Sequence, residues 1–227
     1  MIKKLLLTTS MLLLTATFLV FSQEKTDLEK NLEKLGLMSV AEQIPGIEVY
    51  MVYATPYNFM GEVLYEGLDE AYLVPEAMDK LRKAHEYLRK KRMDLHLVVY
   101  DAARPRSIQA RMWSIVEGTD LEDFVANPNK GKGGAHNFGI AVDVTLVDCT
   151  GHPIPMGSEY DYFGDRSRVD IEQQLFERGE ITYRELFNRR LLREGMTSAG
   201  WEVEPSEWWH LNAMPRDEAE AKYHVID

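Results

Sequence analysis

Three short stretches of the 227-residue chain carry side chains whose types and spacing suit chemistry. The first is His136-Asn137-Phe138-Gly139-Ile140-Ala141-Val142-Asp143. Imidazole and carboxylate both ligate zinc, and an acid in so apolar a run needs a partner if it is buried. On a continuous helix, residues seven apart would stand roughly 10 Å apart along the axis. That is too far for one ion with bonds near ~2 Å. Gly139, followed by β-type residues, instead predicts a turn into a strand, so that His136 folds back toward Asp143. The second stretch is Glu207-Trp208-Trp209-His210, where a helical turn or a tight bend sets acid and imidazole beside one metal. A catalytic zinc keeps three protein ligands and one open position. His136, Asp143 and His210 make three, and Glu207 is left as general acid/base for the water that the metal acidifies. The third is Asp101-Ala102-Ala103-Arg104-Pro105-Arg106, at the expected end of a strand. Arg104 is permanently charged and can stabilise an oxyanion, with Asp101 holding it in place.

Taken singly, each has an ordinary structural reading. A histidine beside a glycine sits in many cores and surfaces, a strand aspartate can cap a turn, paired tryptophans pack, and Arg104 can be a simple ion-pair partner. The three fragments gain weight together, because each supplies what the others lack. His85 on a helix and His96 in an apolar strand read as structural. His152, His224 and the lone Cys149 have no ligand-like or activating neighbours.

The elements that must position these residues follow from periodicity. Leucines 28, 32 and 35 mark a short amphipathic helix over 27–37. Residues 46–53 (GIEVYMVY) read as a strand. Pro75 opens a helix to about Met93, with Met78, Leu81, His85 and Leu88 on one face. Residues 94–101 form a second strand, and a helix follows over about 105–116. A glycine-rich loop occupies 127–134, and a third strand runs over 140–147. Helix is expected from about Arg168 and again over 183–198, closing at Gly200. A short strand is expected near Trp201. The pattern is one α+β domain: a small antiparallel sheet flanked by helices, without repeats or internal linkers.

Lys3 and Lys4 followed by the apolar run 5–21 read as an export signal, with cleavage expected between Ser22 and Gln23. The run is too short, and its following flank too acidic and polar, for a permanent anchor. Residues 1–22 hold two lysines and no acid, so their removal takes the net charge from -11 to -13. The remaining domain, 23–227, is large enough to bury a full core without disulfides. Its acidity excludes nucleic acid and anionic membrane surfaces as partners, and no protein partner is predicted. A secreted or periplasmic location follows.

The pattern His136-x-x-Gly139-x-Ala141-x-Asp143 followed by Glu207-Trp208-Trp209-His210 resembles the D-alanyl-D-alanine dipeptidases of the vancomycin-resistance (VanX) type. Tyr53-Ala54-Thr55 with Asn58-Phe59, Asp101 to Pro105, Pro155 to Ser158 with Asp161, and Asn188 to Leu192 resemble further family segments in the same order. The resemblance implies one zinc on His136, Asp143 and His210, Glu207 as acid/base and Arg104 as transition-state stabiliser. It implies that Asp161 grips the free ammonium of a dipeptide, with Tyr53 and Asp101 among the substrate-binding residues. It also implies the small α+β zinc-peptidase fold of D,D-carboxypeptidases and the hedgehog signalling domain. Those relatives keep two alternatives in view: trimming of peptidoglycan stem peptides, and a zinc-bearing binding domain without turnover. Gly134 departs from the family, which has serine there. Export departs from the cytoplasmic resistance enzymes, so an exported relative meets wall-turnover or external peptides instead.

Overall fold

The computed structural model describes residues 24–227; the expected export signal lies outside them. Among the described residues, helices α1 (Asp27–Lys34), α2 (Val40–Gln43), α3 (Pro75–Lys91), α4 (Arg106–Val116), α5 (Glu172–Glu177), α6 (Tyr183–Ser198) and α7 (Arg216–Lys222) surround two sheets. The smaller sheet pairs β1 (Met38–Ser39) with β3 (Tyr72–Leu73). The larger has the order β2-β4-β5-β7-β6, from Glu48–Val49, Leu95–Asp101, Ala141–Asp148, His210–Asn212 and Glu202–Val203. No helix among the described residues is long and apolar enough to cross a membrane.

The sheet is antiparallel, as expected, except at one edge, where β2 runs parallel to β4. The strand expected over 46–53 shrinks to two residues. Met51, Val52 and Tyr53 are all buried, and three consecutive buried residues cannot alternate on a half-covered strand. The chain turns instead into a single 3₁₀ turn over Val52–Ala54. Helix α5 begins four residues later than expected, because Val169 N–H is drawn to the carbonyl of Pro205. The β1–β3 pair, α2 and α7 were not anticipated.

The long helices follow their sequence signals. Pro75 occupies the first turn of α3, and Met78, Leu81, His85 and Leu88 form its buried face. Thr182 caps α6 through a reciprocal capping box with Glu185. Where α3 meets α6, Gly195 lets the backbone approach Leu88 closely: an added Cβ would stand 2.5 Å from Leu88 Cγ. Strand β5 is buried along all but its last residue, so both of its faces are covered. Val142, Val144 and Leu146 point to one face and Asp143 and Thr145 to the other.

Register then builds the site. Asp101 on β4 pairs with Asp143 on β5, and Asp143 pairs with His210 on β7, so three polar residues stand in a row across neighbouring strands. A bulge between Val99 and Asp101 re-aims the end of β4 just there. Gly139, with φ +65°, ends the 3₁₀ turn Ala135–Phe138 and swings the chain into β5. A side chain at Gly139 would meet Leu37 Cδ2 at 2.6 Å as well as adopting a left-handed backbone. Gly139→Ala should therefore lower unfolding free energy by about 2–4 kcal/mol. Urea unfolding checks this; an unchanged midpoint would contradict it.

Candidate active site

His136 Nδ1 donates to the carbonyl of Ala102 at 2.6 Å, which leaves Nε2 as a lone-pair donor facing inward. His210 is oriented the opposite way: Nε2 donates to Asn212 Oδ1 at 3.1 Å, and Nδ1 faces inward. Asp143 turns Oδ1 to both imidazoles while Oδ2 accepts from the Tyr160 hydroxyl at 2.8 Å. The three inward atoms are 3.0, 3.1 and 3.3 Å apart pairwise. Bonds of 2.0–2.1 Å in a tetrahedron require donors about 3.3 Å apart. The triad therefore fits a metal of zinc's size, and each ligand has the second partner that fixes its orientation. His136 and Asp143 do converge through the Gly139 turn, as the sequence suggested.

The charges are interlocked. Burial would raise the Asp143 carboxyl, but the facing imidazoles outweigh it and hold it well below the usual range. Burial would lower His210, and the hydrogen bond and charge of Asp143 outweigh that, raising it to about 9. Glu207 lies beside them, its Oε2 3.9 Å from His210 Nδ1 and its side chain 15 % exposed. Burial lifts its carboxyl to about 7, into the range of a group that takes and returns a proton near neutral pH.

Arg104 reaches the same cleft. Nε donates to Asp101 Oδ2 at 2.9 Å, Nη2 to the same oxygen, and Nη1 to Gln109 at 2.7 Å. Its guanidinium also lies 5.1 Å from the centre of the Tyr53 ring. Asp101 is fully buried beneath it, accepting from Tyr65 as well at 2.7 Å, and does not line the cleft. Asp101 therefore holds Arg104 in place, as read from the sequence, and has no surface for the substrate contact that the resemblance implied.

Tyr53 and Asp161 close the other side. The Tyr53 hydroxyl donates to Asp161 Oδ1 at 2.9 Å. Asp161 Oδ2 is shut from solvent without a hydrogen-bond partner. Asp161 is also the one non-glycine among the described residues with positive φ, at +58°. Burial pushes its carboxyl well above the usual range, against the opposing hydrogen bond from Tyr53. Metal triad, Glu207, Arg104, Tyr53 and Asp161 all border one cleft of about 480 Å³. Phe59, Phe124 and Phe163 form an aromatic wall to it, with ring centres 5.0 and 5.3 Å apart. Gly134 borders it too, where an added Cβ would approach Ala126 Cβ at 3.1 Å.

Sequence reasoning missed Tyr160, Asn212, Gln109 and Tyr65. Asn212 was discoverable, since it shares a strand face with His210 two residues away. The other three reach the site from distant segments and leave no local pattern.

Two imidazoles, a carboxylate and a flanking buried acid define a metallohydrolase centre. A family model described as D-ala-D-ala dipeptidase, of the M15 peptidases, matches residues 33–225. A D-alanyl-D-alanine dipeptidase of Escherichia coli (strain K12) is 29% identical over 175 residues, covering 77% of this chain and 83% of that protein. One from Enterococcus faecium is 30% identical over 201 residues, covering 82% and 94%. Among solved structures, an LD-carboxypeptidase, LdcB, matches with a TM-score of 0.43 at 16% identity, covering 82% of this chain and 71% of that one. That likeness is too loose to bear on substrate. The chain belongs to the M15 D-Ala-D-Ala dipeptidase family and is a metallopeptidase.

Without metal, His210 stays protonated up to about pH 9. The stability it draws from Asp143 is then full below the unfolded histidine value of 6.5 and is lost as pH rises through about 9. A metal must displace that proton. Uptake at pH 7.5 should release about one proton per site, read by calorimetry in buffers of different ionisation enthalpy. Uptake with no proton release would show that His210 is not the ligand.

Proposed function

We propose that the chain is a zinc-dependent dipeptidase that hydrolyses D-Ala-D-Ala or a closely related small dipeptide, with one zinc on His136, Asp143 and His210. The observation that carries the choice of a free dipeptide is Asp161: a carboxylate with a shut-in, unpartnered oxygen, strained toward the cleft that holds the metal triad. A cationic group is what such an acid lacks. An ammonium arriving there restores the ionised form that burial disfavours. The names of the Escherichia coli and Enterococcus faecium relatives support the substrate class.

Zinc, when bound, supplies a Lewis acid that polarises the scissile carbonyl and acidifies water. The protein's own groups do the rest. Glu207 takes a proton from the attacking water and returns it to the departing amine, a cycle suited to a carboxyl near 7. Arg104, held by Asp101 and Gln109, presents fixed positive charge to the oxyanion. Tyr53 orients Asp161, and the phenylalanine wall keeps water from the small side chains of the substrate. The missing serine at Gly134 leaves Asp161 to carry more of the amino-end recognition.

The test is a zinc-loaded assay of L,L, L,D, D,L and D,D dipeptides, each free and N-acetylated. Free dipeptides should be cleaved and acetylated ones should not, because removing one partner of a desolvated ion pair costs about 3–5 kcal/mol. Asp161→Ala should narrow that gap. Glu207→Gln should keep its zinc and lose about 10²–10⁴-fold in turnover. Efficient cleavage of acetylated dipeptides or of an intact pentapeptide stem would point to a carboxypeptidase instead.

The proposal also sets the enzyme outside the cytoplasm, on the strength of the basic and then apolar run at residues 3–21. Protein recovered from its native source should begin near Gln23. An intact Met1 on membrane-bound protein would overturn this.

A further inference from the structure

After Trp209, Arg189 is the largest fully buried side chain among the described residues, 1 % exposed in the middle of α6. A sealed guanidinium is costly unless its donors are met, and here the acceptors are three backbone carbonyls. Nε donates to Met156, Nη2 to Arg166, and Nη1 to Arg168 at 3.2 Å. Beside it, Asn188 Nδ2 donates to the carbonyl of Pro155 at 2.8 Å. Burial lowers Arg189 only to about 10, so it remains a cation at neutral pH. Neither residue lines the cleft.

The four acceptors have one thing in common: they are the two ends of the segment 155–168. Between those ends lie Tyr160, which supports Asp143, and Asp161. The segment is drawn tightly onto the guanidinium. At Gly157, with φ +88°, an added Cβ would stand 3.2 Å from Arg189 Nη2 and 2.7 Å from Ile181 Cγ2. A left-handed aspartate persists only where its surroundings over-determine it. Fixing both ends of its loop to one rigid helix does this.

We propose that Arg189, assisted by Asn188, is the positioning residue for recognition of the substrate's amino end. By tying both ends of segment 155–168 to α6, it fixes the backbone twist that aims Asp161 into the cleft. Lysine cannot replace it, because one ammonium cannot span three carbonyls set by a planar fork. This rests on the reading of Asp161 given above.

The experiment compares zinc-loaded wild type, Arg189→Lys, Asn188→Ala and the core variant Leu81→Ala, scoring kcat and KM on one dipeptide in free and N-acetylated form. Zinc content and thermal midpoint are measured alongside. Arg189→Lys should raise KM for the free dipeptide about tenfold or more, with a smaller change in kcat, since small misplacements of a binding group are expensive. Its preference for free over acetylated substrate should fall accordingly. Asn188→Ala should move the same way but less, and it carries the test if Arg189→Lys does not fold. Leu81→Ala should lower the thermal midpoint and leave the preference intact, which separates positioning from general loss of stability. If wild type shows no preference, the reading of Asp161 fails and this inference with it. If wild type discriminates and the Arg189 or Asn188 variant discriminates equally well, only the role given to Arg189 is overturned.

Discussion

An ionised carboxylate in a covered strand is the constraint around which this protein is arranged. Asp143 is 3 % exposed between Val142 and Val144, and a lone charge there would not stay ionised. It is met from four directions: His210 from β7, His136 from the turn before β5, Tyr160 from the loop after it, and Arg104 at 3.8 Å. Each partner depends on a separate local decision by the chain. Gly139 reverses the backbone, β7 pairs in register, the 155–168 loop folds over the sheet, and the bulged end of β4 aims Asp101 beneath Arg104. The catalytic geometry and the solution to a burial problem are the same set of contacts.

The part of the cleft around His136 and His210 gathers acids. Asp143, Asp161 and Glu207 border it, whereas Asp101 is neutralised beneath it by Arg104. The two visitors proposed, a divalent metal and an ammonium, are cations that would meet these carboxyls. Arg104 is the exception where negative charge develops. Burial pushes Glu207 and Asp161 up while the imidazoles hold Asp143 down, so neighbouring carboxyls acquire different tasks.

Much of this was legible in the sequence, and the limits are physical. Helices α3, α4 and α6 and strands β4 and β5 are long enough to show their periods, and their ends carry Pro75 and Thr182. The β1–β3 pair, α2 and α7 are too short to display a period, and tertiary contacts make them. The metal triad was readable because each half sits in a compact motif, and Glu207 because it shares one with His210. Asp161 and Tyr53 came only through family resemblance, since their partnership spans 108 positions. Asp101 keeps the role of holding Arg104, and the substrate contact implied by the resemblance lacks a surface for a related reason. Sequence places it near Arg104 and cannot reveal that it is wholly beneath the cleft surface.

The seam between the C-terminal segment and the middle of the chain has a temporal meaning. Ile226 N–H donates to the carbonyl of Asn137, and Ile226 accepts from the N–H of Arg106, both at 2.8 Å. The turn that carries His136 and the start of α4 are thus stitched by a residue made long after either. His210 also comes late, on the strand that completes the pairing of β5, and Glu207 in the turn just before it. A partly synthesised chain would hold His136 and Asp143 with neither His210 nor Glu207 beside them. Without residue 226 it would also lack the two backbone hydrogen bonds that tie the His136 turn to the start of α4.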